Sequence, residues 1–145
     1  MVGRIEEHFR LKGFGLYAAE LRGDGRFIGY VGLLVPTFEA HFTPCVEIGW
    51  RLASDVWGQG LATEGAQAVV RYAFRELHLD EIVSFTVPAN QRSIRVMQKI
   101  GMTRSATDDF DHANLPEGHT LRHHVLYRLA NPGDATLHSK TKRQA

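Results

Sequence analysis

The chain has 145 residues, of which 43% are hydrophobic and 23% charged, and its formal net charge is +1. These values predict one globular domain with an ordinary core and give no electrostatic reason to expect nucleic acid as the main partner. No apolar run approaches the ~18 residues of a membrane span and no signal-peptide core is present, so we expect a soluble cytoplasmic protein without a membrane partner.

The first third of the sequence predicts a helix followed by a β-hairpin. Residues 3–12 place apolar side chains on one side among charges, which is typical of a short amphipathic helix, and Gly13 ends it. Two apolar runs, 14–21 and 26–35, flank the turn Asp24-Gly25. An Asp-Gly turn between apolar runs is a strong signal for an antiparallel hairpin.

The middle of the sequence predicts a loop over 36–44, a strand over 45–53 and a helix over 60–77. Alternation along the strand places Val46, Ile48, Trp50 and Leu52 on one face of the sheet and Glu47, Gly49 and Arg51 on the other. In the helix, apolar residues repeat at intervals of three and four from Ala62 to Leu77, which indicates about five amphipathic turns.

The last third predicts four further elements. They are a strand over 81–87, a helix that begins at Asn90 and stops at Gly101, and two strands over 102–110 and 121–129. The predicted domain therefore covers 1–130, and the polar segment 131–145 is expected to be a disordered tail.

The order of elements indicates the fold class. A helix, three strands, a helix, a strand, a helix and two strands predict an α/β (α+β) fold with a mixed, mainly antiparallel twisted sheet. We expect helices on both faces and one right-handed strand–helix–strand crossover in the middle of the sheet.

A glycine-rich turn joins the strand 45–53 to the helix that follows. Gly58 and Gly60 allow a ligand to approach the backbone, and first-turn amides of a helix lack intrahelical partners. Such amides and the helix dipole favour an anion. The candidate donors are the backbone N–H groups of Gln59, Gly60, Leu61, Ala62 and Thr63. The turn alone leaves open a glycine-rich connection without a ligand.

Three known phosphate-binding motifs contain glycine-rich turns similar to this one. A P-loop requires a Gly-Lys-Ser/Thr sequence, and the turn has no lysine. The dinucleotide motif G-x-G-x-x-G has Thr63 in place of its last glycine. The acetyl-coenzyme A turn Q/R-x-x-G-x-G/A matches residues 57–62 except that Trp57 replaces Gln or Arg.

Metal binding is not expected. Cys45 is the only cysteine, so the chain has no cysteine cluster and no intrachain disulfide. Four histidines crowd near the C-terminus, His112, His119, His123 and His124. Their spacing matches no helical zinc motif, and we interpret them as loop and strand residues.

Two segments together resemble a known family. VEIGWRLASDVWGQGLATEGAQAVVRYAF, followed by VPANQRSIRVMQKIGM, resembles the GNAT superfamily of N-acetyltransferases, and more narrowly its RimJ/RimL-type ribosomal-protein branch. The resemblance covers about residues 4–129. It implies the GNAT fold, here expected without its first strand and helix, so that the acceptor site is expected to lack one wall.

The resemblance also implies a cofactor site for acetyl-coenzyme A, used as co-substrate without a metal. The turn Gln59–Thr63 is expected to hold the pyrophosphate, and strands 45–53 and 81–87 to splay apart. The strand residues Trp50, Arg51 and Leu52 are expected to pair with the pantetheine amides, and Asn90 and Ser93 to face the pantetheine and sulfur.

Two residues are the catalytic candidates. Glu47 lies on the strand face where family members place a glutamate, and a partly desolvated carboxylate can act as a general base. Many relatives place a tyrosine acid where this chain has Met97, which cannot donate a proton. Ser93 is then the candidate acid. The alternatives are an exposed strand residue for Glu47 and a helix-capping residue for Ser93.

The leading hypothesis is an N-acetyltransferase that moves an acetyl group from acetyl-coenzyme A to a primary amine by direct attack. The acceptor is either a protein N-terminus or a small amine. The alternative is a non-catalytic coenzyme A-binding protein, and a nucleotide-binding module is disfavoured by the motifs above. The apolar strand 14–21 is expected at a sheet edge, where it favours pairing with a second copy in a homodimer.

Overall fold

The computed structural model describes residues 1–133, so most of the predicted tail lies outside the described residues. The helices are α1 (Val2–Lys12), α2 (Leu61–Arg75) and α3 (Gln91–Lys99). The strands are β1 (Leu16–Glu20), β2 (Phe27–Leu34), β3 (Glu47–Leu52), β4 (Glu81–Thr86), β5 (Thr103–Arg104), β6 (Phe110–Asp111) and β7 (His123–Ala130). No helix within this part of the chain is long and apolar enough to span a bilayer.

The strands of residues 1–133 form one sheet in the order β1-β2-β3-β4-β7-β5, with β6 paired to β7. The β3–β4 pair is parallel, and the other pairs are antiparallel. Helix α2 connects the two parallel strands. The predicted mixed, mainly antiparallel sheet with a central crossover is therefore confirmed.

The two faces of the sheet are covered differently. On one face, which we call the helix face, the buried residues of α2 and α3 belong to one core cluster with Leu33, Ile48 and Ile82. On the opposite face, the aromatic face, the buried residues are Phe42, Val83, Phe110 and Leu126, with Phe38 and Phe85 packed against them. Helices α2 and α3 thus share the helix face, and rings from loop 36–44 and β6 cover the aromatic face.

Two predicted boundaries also change. The expected strand over 102–110 consists of β5, a 3₁₀ turn at Ala106–Asp108, and β6. Here the guanidinium of Arg104 binds the carboxylate of Asp109, with Nε donating to Oδ1 at 2.9 Å, and closes the polar segment into a loop. Helix α2 ends at Arg75, so it has 15 residues and about four turns.

Helix α1 is anchored by one histidine. The backbone N–H of Val35 donates to Nε2 of His8 at 3.0 Å. The Nδ1 atom of His8 lies 2.8 Å from the carbonyl oxygen of Phe14. Because Nε2 accepts a hydrogen bond, the proton of the neutral ring must reside on Nδ1, which donates to Phe14. His8 thereby joins α1 to both ends of the hairpin, at Phe14 before β1 and at Val35 after β2.

Candidate functional site

Strands β3 and β4 separate after a single bridge. They pair only at Glu47 and Val83, where the Val83 N–H donates to the Val46 carbonyl at 3.0 Å. One step further, the hydroxyl of Ser84 donates to the Ile48 carbonyl at 3.0 Å. Ser84 is 3% exposed, so its hydroxyl satisfies a buried carbonyl at the point where the strands diverge. The predicted separation of the two strands is confirmed.

The open edge of β3 presents backbone groups to the gap. The carbonyls of Val46 and Ile48 face β4, so strand alternation directs the polar backbone groups of Trp50 and Leu52 the same way. The Leu52 carbonyl accepts a hydrogen bond from Nε1 of Trp57 at 2.9 Å. The N–H groups of Trp50 and Leu52 are therefore directed toward the gap.

The glycine turn leads into the N-terminus of α2. Gly58 and Gly60 have φ angles of +78° and +76°, a left-handed conformation that only glycine adopts without strain. Gly60 caps the helix without a side-chain hydrogen bond, and the first helical bond runs from the Glu64 N–H to the Gly60 carbonyl. The amides of Leu61, Ala62 and Thr63 consequently have no intrahelical acceptor.

The N-terminus of α3 forms the other side of the gap. The Asn90 side chain caps it by accepting from the Ser93 N–H at 3.3 Å, and its Nδ2 donates to Oγ1 of Thr86 at 3.1 Å. The alternative reading of Ser93 as the capping side chain is wrong, because Asn90 has that role. In residues 1–133 the Ser93 hydroxyl has no hydrogen bond, and Ser93 borders the cleft described next.

These elements enclose one cleft of about 1010 Å³. Every predicted cofactor-binding residue except Gln59 lines it, namely Trp50, Arg51, Leu52, Gly60, Leu61, Ala62, Thr63, Asn90 and Ser93. Gln59 lies in the turn itself, between two glycines that border the cleft. The structure thus brings the strand, the turn and α3 together around one space.

The cleft is positively charged. Arg51, Arg92, Arg95 and Lys99 line it, and no carboxylate does. Within the described part of the chain, none of these four side chains forms an ion pair or a hydrogen bond. The three cations on α3 were not among the predicted site residues, although their spacing of three and four residues places them on one helix face.

Glu47 lies outside the cleft lining, at the closed end of the gap. Its register partners are Leu34 and Val83, so its side chain lies on the aromatic face. A Cβ added at Gly49 would lie 4.0 Å from Oε1 of Glu47, which shows that the carboxylate extends along β3. Burial raises the pKa of Glu47 to about 7. Glu47 is half-buried, so its alternative interpretation as an exposed strand residue is wrong.

Two sulfur-containing side chains, Cys45 and Met97, are unsuited to proton transfer or nucleophilic attack. Burial, with a smaller contribution from Glu47, raises the pKa of the Cys45 thiol to about 11. Cys45 is therefore a thiol rather than a thiolate at neutral pH. Met97, at the position where many relatives place a tyrosine, is 1% exposed and packs in the core of the helix face.

Two of the four C-terminal histidines pack beside aromatic rings. The ring centroids of His112 and His124 are 5.0 Å apart, and both rings contact Phe85 and Phe110 on the aromatic face. Desolvation, with a smaller contribution from His124, lowers the pKa of His112. Among residues 1–133 no three or more potential ligands gather into a metal-binding group.

The fold recurs among solved acetyltransferase structures. A putative GNAT-family acetyltransferase from Bordetella pertussis superimposes with a TM-score of 0.74 over 89% of this chain and 73% of its own. The two sequences are 22% identical, so this likeness concerns the fold alone.

The family follows from the sequence match. The model of the acetyltransferase (GNAT) domain matches residues 2–103, and the chain belongs to that family. The FsC-acetyl coenzyme A-N(2)-transacetylase of Aspergillus fumigatus is 40% identical over 99 residues, which are 66% of this chain and 41% of that protein. A Bacillus subtilis protein named a putative ribosomal N-acetyltransferase, YdaF, is 30% identical over 87 residues, 57% of this chain and 48% of its own length. The chain thus spans about half the length of these two relatives.

Proposed function

We propose that the protein is an N-acetyltransferase that moves an acetyl group from acetyl-coenzyme A to a primary amine. The main observation in support is the cationic cleft, which is lined by the uncapped amides at the start of α2 and lies at the gap between β3 and β4. Coenzyme A combines an anionic, phosphate-rich end with a thin pantetheine arm. The cleft offers positive charge for the first and open strand backbone for the second.

The proposed donor site divides between two kinds of contact. The backbone amides of Gln59–Thr63 bind the pyrophosphate, with Arg51, Arg95 and Lys99 adding positive charge around it. The backbone of Trp50 and Leu52 pairs with the pantetheine amides, because these N–H groups face the gap. Asn90 and Ser93 border the arm from the side of α3.

The proposed reaction uses both faces of the sheet. An alkyl ammonium has a pKa near ~10, so the acceptor must lose a proton before its nitrogen attacks. Glu47, whose pKa of about 7 suits a general base at neutral pH, takes that proton on the aromatic face. The nitrogen then forms a bond to the thioester carbon, while a backbone N–H on the open edge of β3 stabilises the negative oxygen.

Attack by the nitrogen gives a tetrahedral intermediate. When this intermediate collapses, the carbon–sulfur bond breaks. The leaving thiolate takes a proton from the hydroxyl of Ser93, and the second proton lost by the attacking nitrogen restores that hydroxyl, so that the products are the amide and the coenzyme A thiol. Ser93 is the proposed acid because it borders the cleft without an internal hydrogen-bond partner among the described residues, whereas Met97 is buried and has no proton to donate. No covalent enzyme intermediate is required.

One experiment separates this proposal from the alternative, a non-catalytic coenzyme A-binding protein, which the buried Met97 favours. Acetyl-coenzyme A, but not ATP or NAD, should raise the melting temperature in either case. Release of free thiol on addition of primary amines, with N-terminal peptides and small amines as separate sets, demonstrates transfer and identifies the acceptor. Binding without thiol release from any amine would establish the alternative.

We also propose that the chain pairs with a second copy through β1. Within residues 1–133 this strand lies at one edge of the sheet: β2 pairs with one side of β1, and no strand pairs with the other side. Tyr17 on β1 is 37% exposed. Free backbone groups on an edge strand form a template for pairing with another chain. Sedimentation of a monomer at high concentration would contradict this pairing.

A further inference from the structure

One tryptophan contacts both walls of the cleft. Trp57 lies in the turn before α2 and is 50% exposed. Its indole Nε1 donates to the Leu52 carbonyl of β3 at 2.9 Å, which fixes the orientation of the ring. The guanidinium of Arg92, from the first turn of α3, lies 4.4 Å from the centre of the same ring. Both side chains line the cleft.

The guanidinium over the indole ring keeps its hydrogen-bonding capacity. A cation–π contact uses the flat face of the guanidinium, while its N–H groups point outward in the plane. In the described part of the chain, Arg92 has no carboxylate partner and no hydrogen bond. The indole therefore orients a cation whose donors remain available to an anion in the cleft.

The indole also limits what a ligand can reach on β3. Its hydrogen bond satisfies the Leu52 carbonyl, which otherwise faces the gap beside the Leu52 N–H. An extended arm in the gap therefore pairs with β3 only before this point. Whatever follows along the arm leaves the strand at Trp57, directly beside the guanidinium of Arg92.

We propose that Trp57 and Arg92 form a clasp that selects acyl donors by their phosphate groups. Arg92 donates its N–H groups to phosphate oxygens where the arm leaves the strand, and Trp57 is the positioning residue that holds Arg92 there. The clasp rests on the proposed function, since it assumes a phosphate-bearing donor in this cleft. It favours coenzyme A thioesters over the same acyl group on pantetheine.

The test measures equilibrium binding by titration calorimetry with coenzyme A, dephospho-coenzyme A, which lacks the 3′-phosphate, and pantetheine, which has no phosphate. Arg92→Gln should weaken coenzyme A binding by roughly tenfold to a hundredfold, the usual loss for a charge-assisted hydrogen bond, and leave pantetheine unaffected. An equal loss for dephospho-coenzyme A assigns the contact to the diphosphate. A loss confined to coenzyme A assigns it to the 3′-phosphate.

The role of Trp57 is tested with two substitutions. Trp57→Leu removes the ring and should reproduce the loss of Arg92→Gln, and the double variant should bind no more weakly than either single variant. Trp57→Phe retains a ring for the guanidinium and should restore most of the affinity. Arg71→Gln is the matched control, because it removes an exposed arginine of α2 that does not line the cleft.

Two results would overturn the clasp and leave the proposed function in place. One is coenzyme A binding that Arg92→Gln does not change. The other is a loss in Trp57→Leu that is equal for pantetheine, because the ring would then act by shape alone. Failure of the wild-type protein to bind coenzyme A would instead overturn the proposed function and the clasp with it.

Discussion

Replacing Glu47 with glutamine removes a carboxyl group that the fold holds partly out of water. Burial raises its pKa from 4.5 to about 7. At a pH between these two pKa values, the Glu47 carboxyl keeps its proton in the folded protein and loses it in the unfolded chain. The free energy of unfolding of the wild type therefore falls as pH rises through this window, by about 1.4 kcal/mol per pH unit. Over the whole window the loss approaches about 3 kcal/mol, and it persists above pH 7.

The assay is urea unfolding of wild type and Glu47→Gln at pH 5 and pH 8. Glutamine cannot ionise, so the variant should gain up to about 3 kcal/mol over wild type at pH 8 and much less at pH 5. Both proteins contain the same histidines, so the contribution of histidine titration cancels when the two free energies of unfolding are subtracted. Glu39→Gln, at an exposed position of loop 36–44, is the control and should change stability by less than about 0.5 kcal/mol at either pH.

The same substitution tests the proposed base. Acetyl transfer at neutral pH should fall by about 10²–10⁴, while coenzyme A affinity stays unchanged, because Glu47 lies outside the cleft lining. A variant that is more stable at high pH but slower is the expected outcome. If wild type and Glu47→Gln have the same dependence of stability on pH, the carboxyl is not desolvated and the reasoning is wrong.

Three further substitutions address the cofactor site, the acid and the sheet. Gly60→Asp places a carboxylate beside the uncapped amides of α2 and should abolish acetyl-coenzyme A binding in calorimetry. If the folded variant still binds acetyl-coenzyme A, these amides are not the anion site. Ser93→Ala should lower kcat with little change in KM, and an unchanged kcat would mean that the thiolate leaves unaided. Gly29→Ala should destabilise the fold by about 3 kcal/mol or more in urea unfolding, because its Cβ would lie 2.0 Å from the Arg51 carbonyl oxygen at a φ of +138°. A loss below about 1 kcal/mol would mean that β2 and β3 separate at little cost.

Periodicity predicted the elements that have one apolar side. The spacing of Ala66, Val69 and Ala73 is that of a helix buried along one stripe, and these residues form the packed side of α2. Alternation in β3 likewise placed Glu47 and Ile48 on opposite faces, as the register shows. Local pattern is sufficient in such cases because a single face decides the packing.

Other features depend on contacts between distant segments. Loop 36–44 covers the aromatic face because Phe38 and Phe42 meet Phe85 and Phe110, residues far along the chain. The contact between Arg92 and Trp57 likewise joins two segments that the linear sequence leaves unrelated. The cleft residues were predicted through the motif resemblance, whereas the charge of the cleft emerges only when α3 is placed beside the turn.

The bond between Ser84 and Ile48 has a consequence for cooperativity. Because β3 and β4 share one bridge, the sheet consists of two blocks, β1-β2-β3 and β4-β7-β5-β6, joined by that bridge, the Ser84 hydroxyl and the helices packed across both. Native-state hydrogen exchange should then resolve two groups of amides with different opening free energies. An extended ligand bound in the gap would add backbone contacts between the two blocks. The two blocks would then open as one cooperative unit.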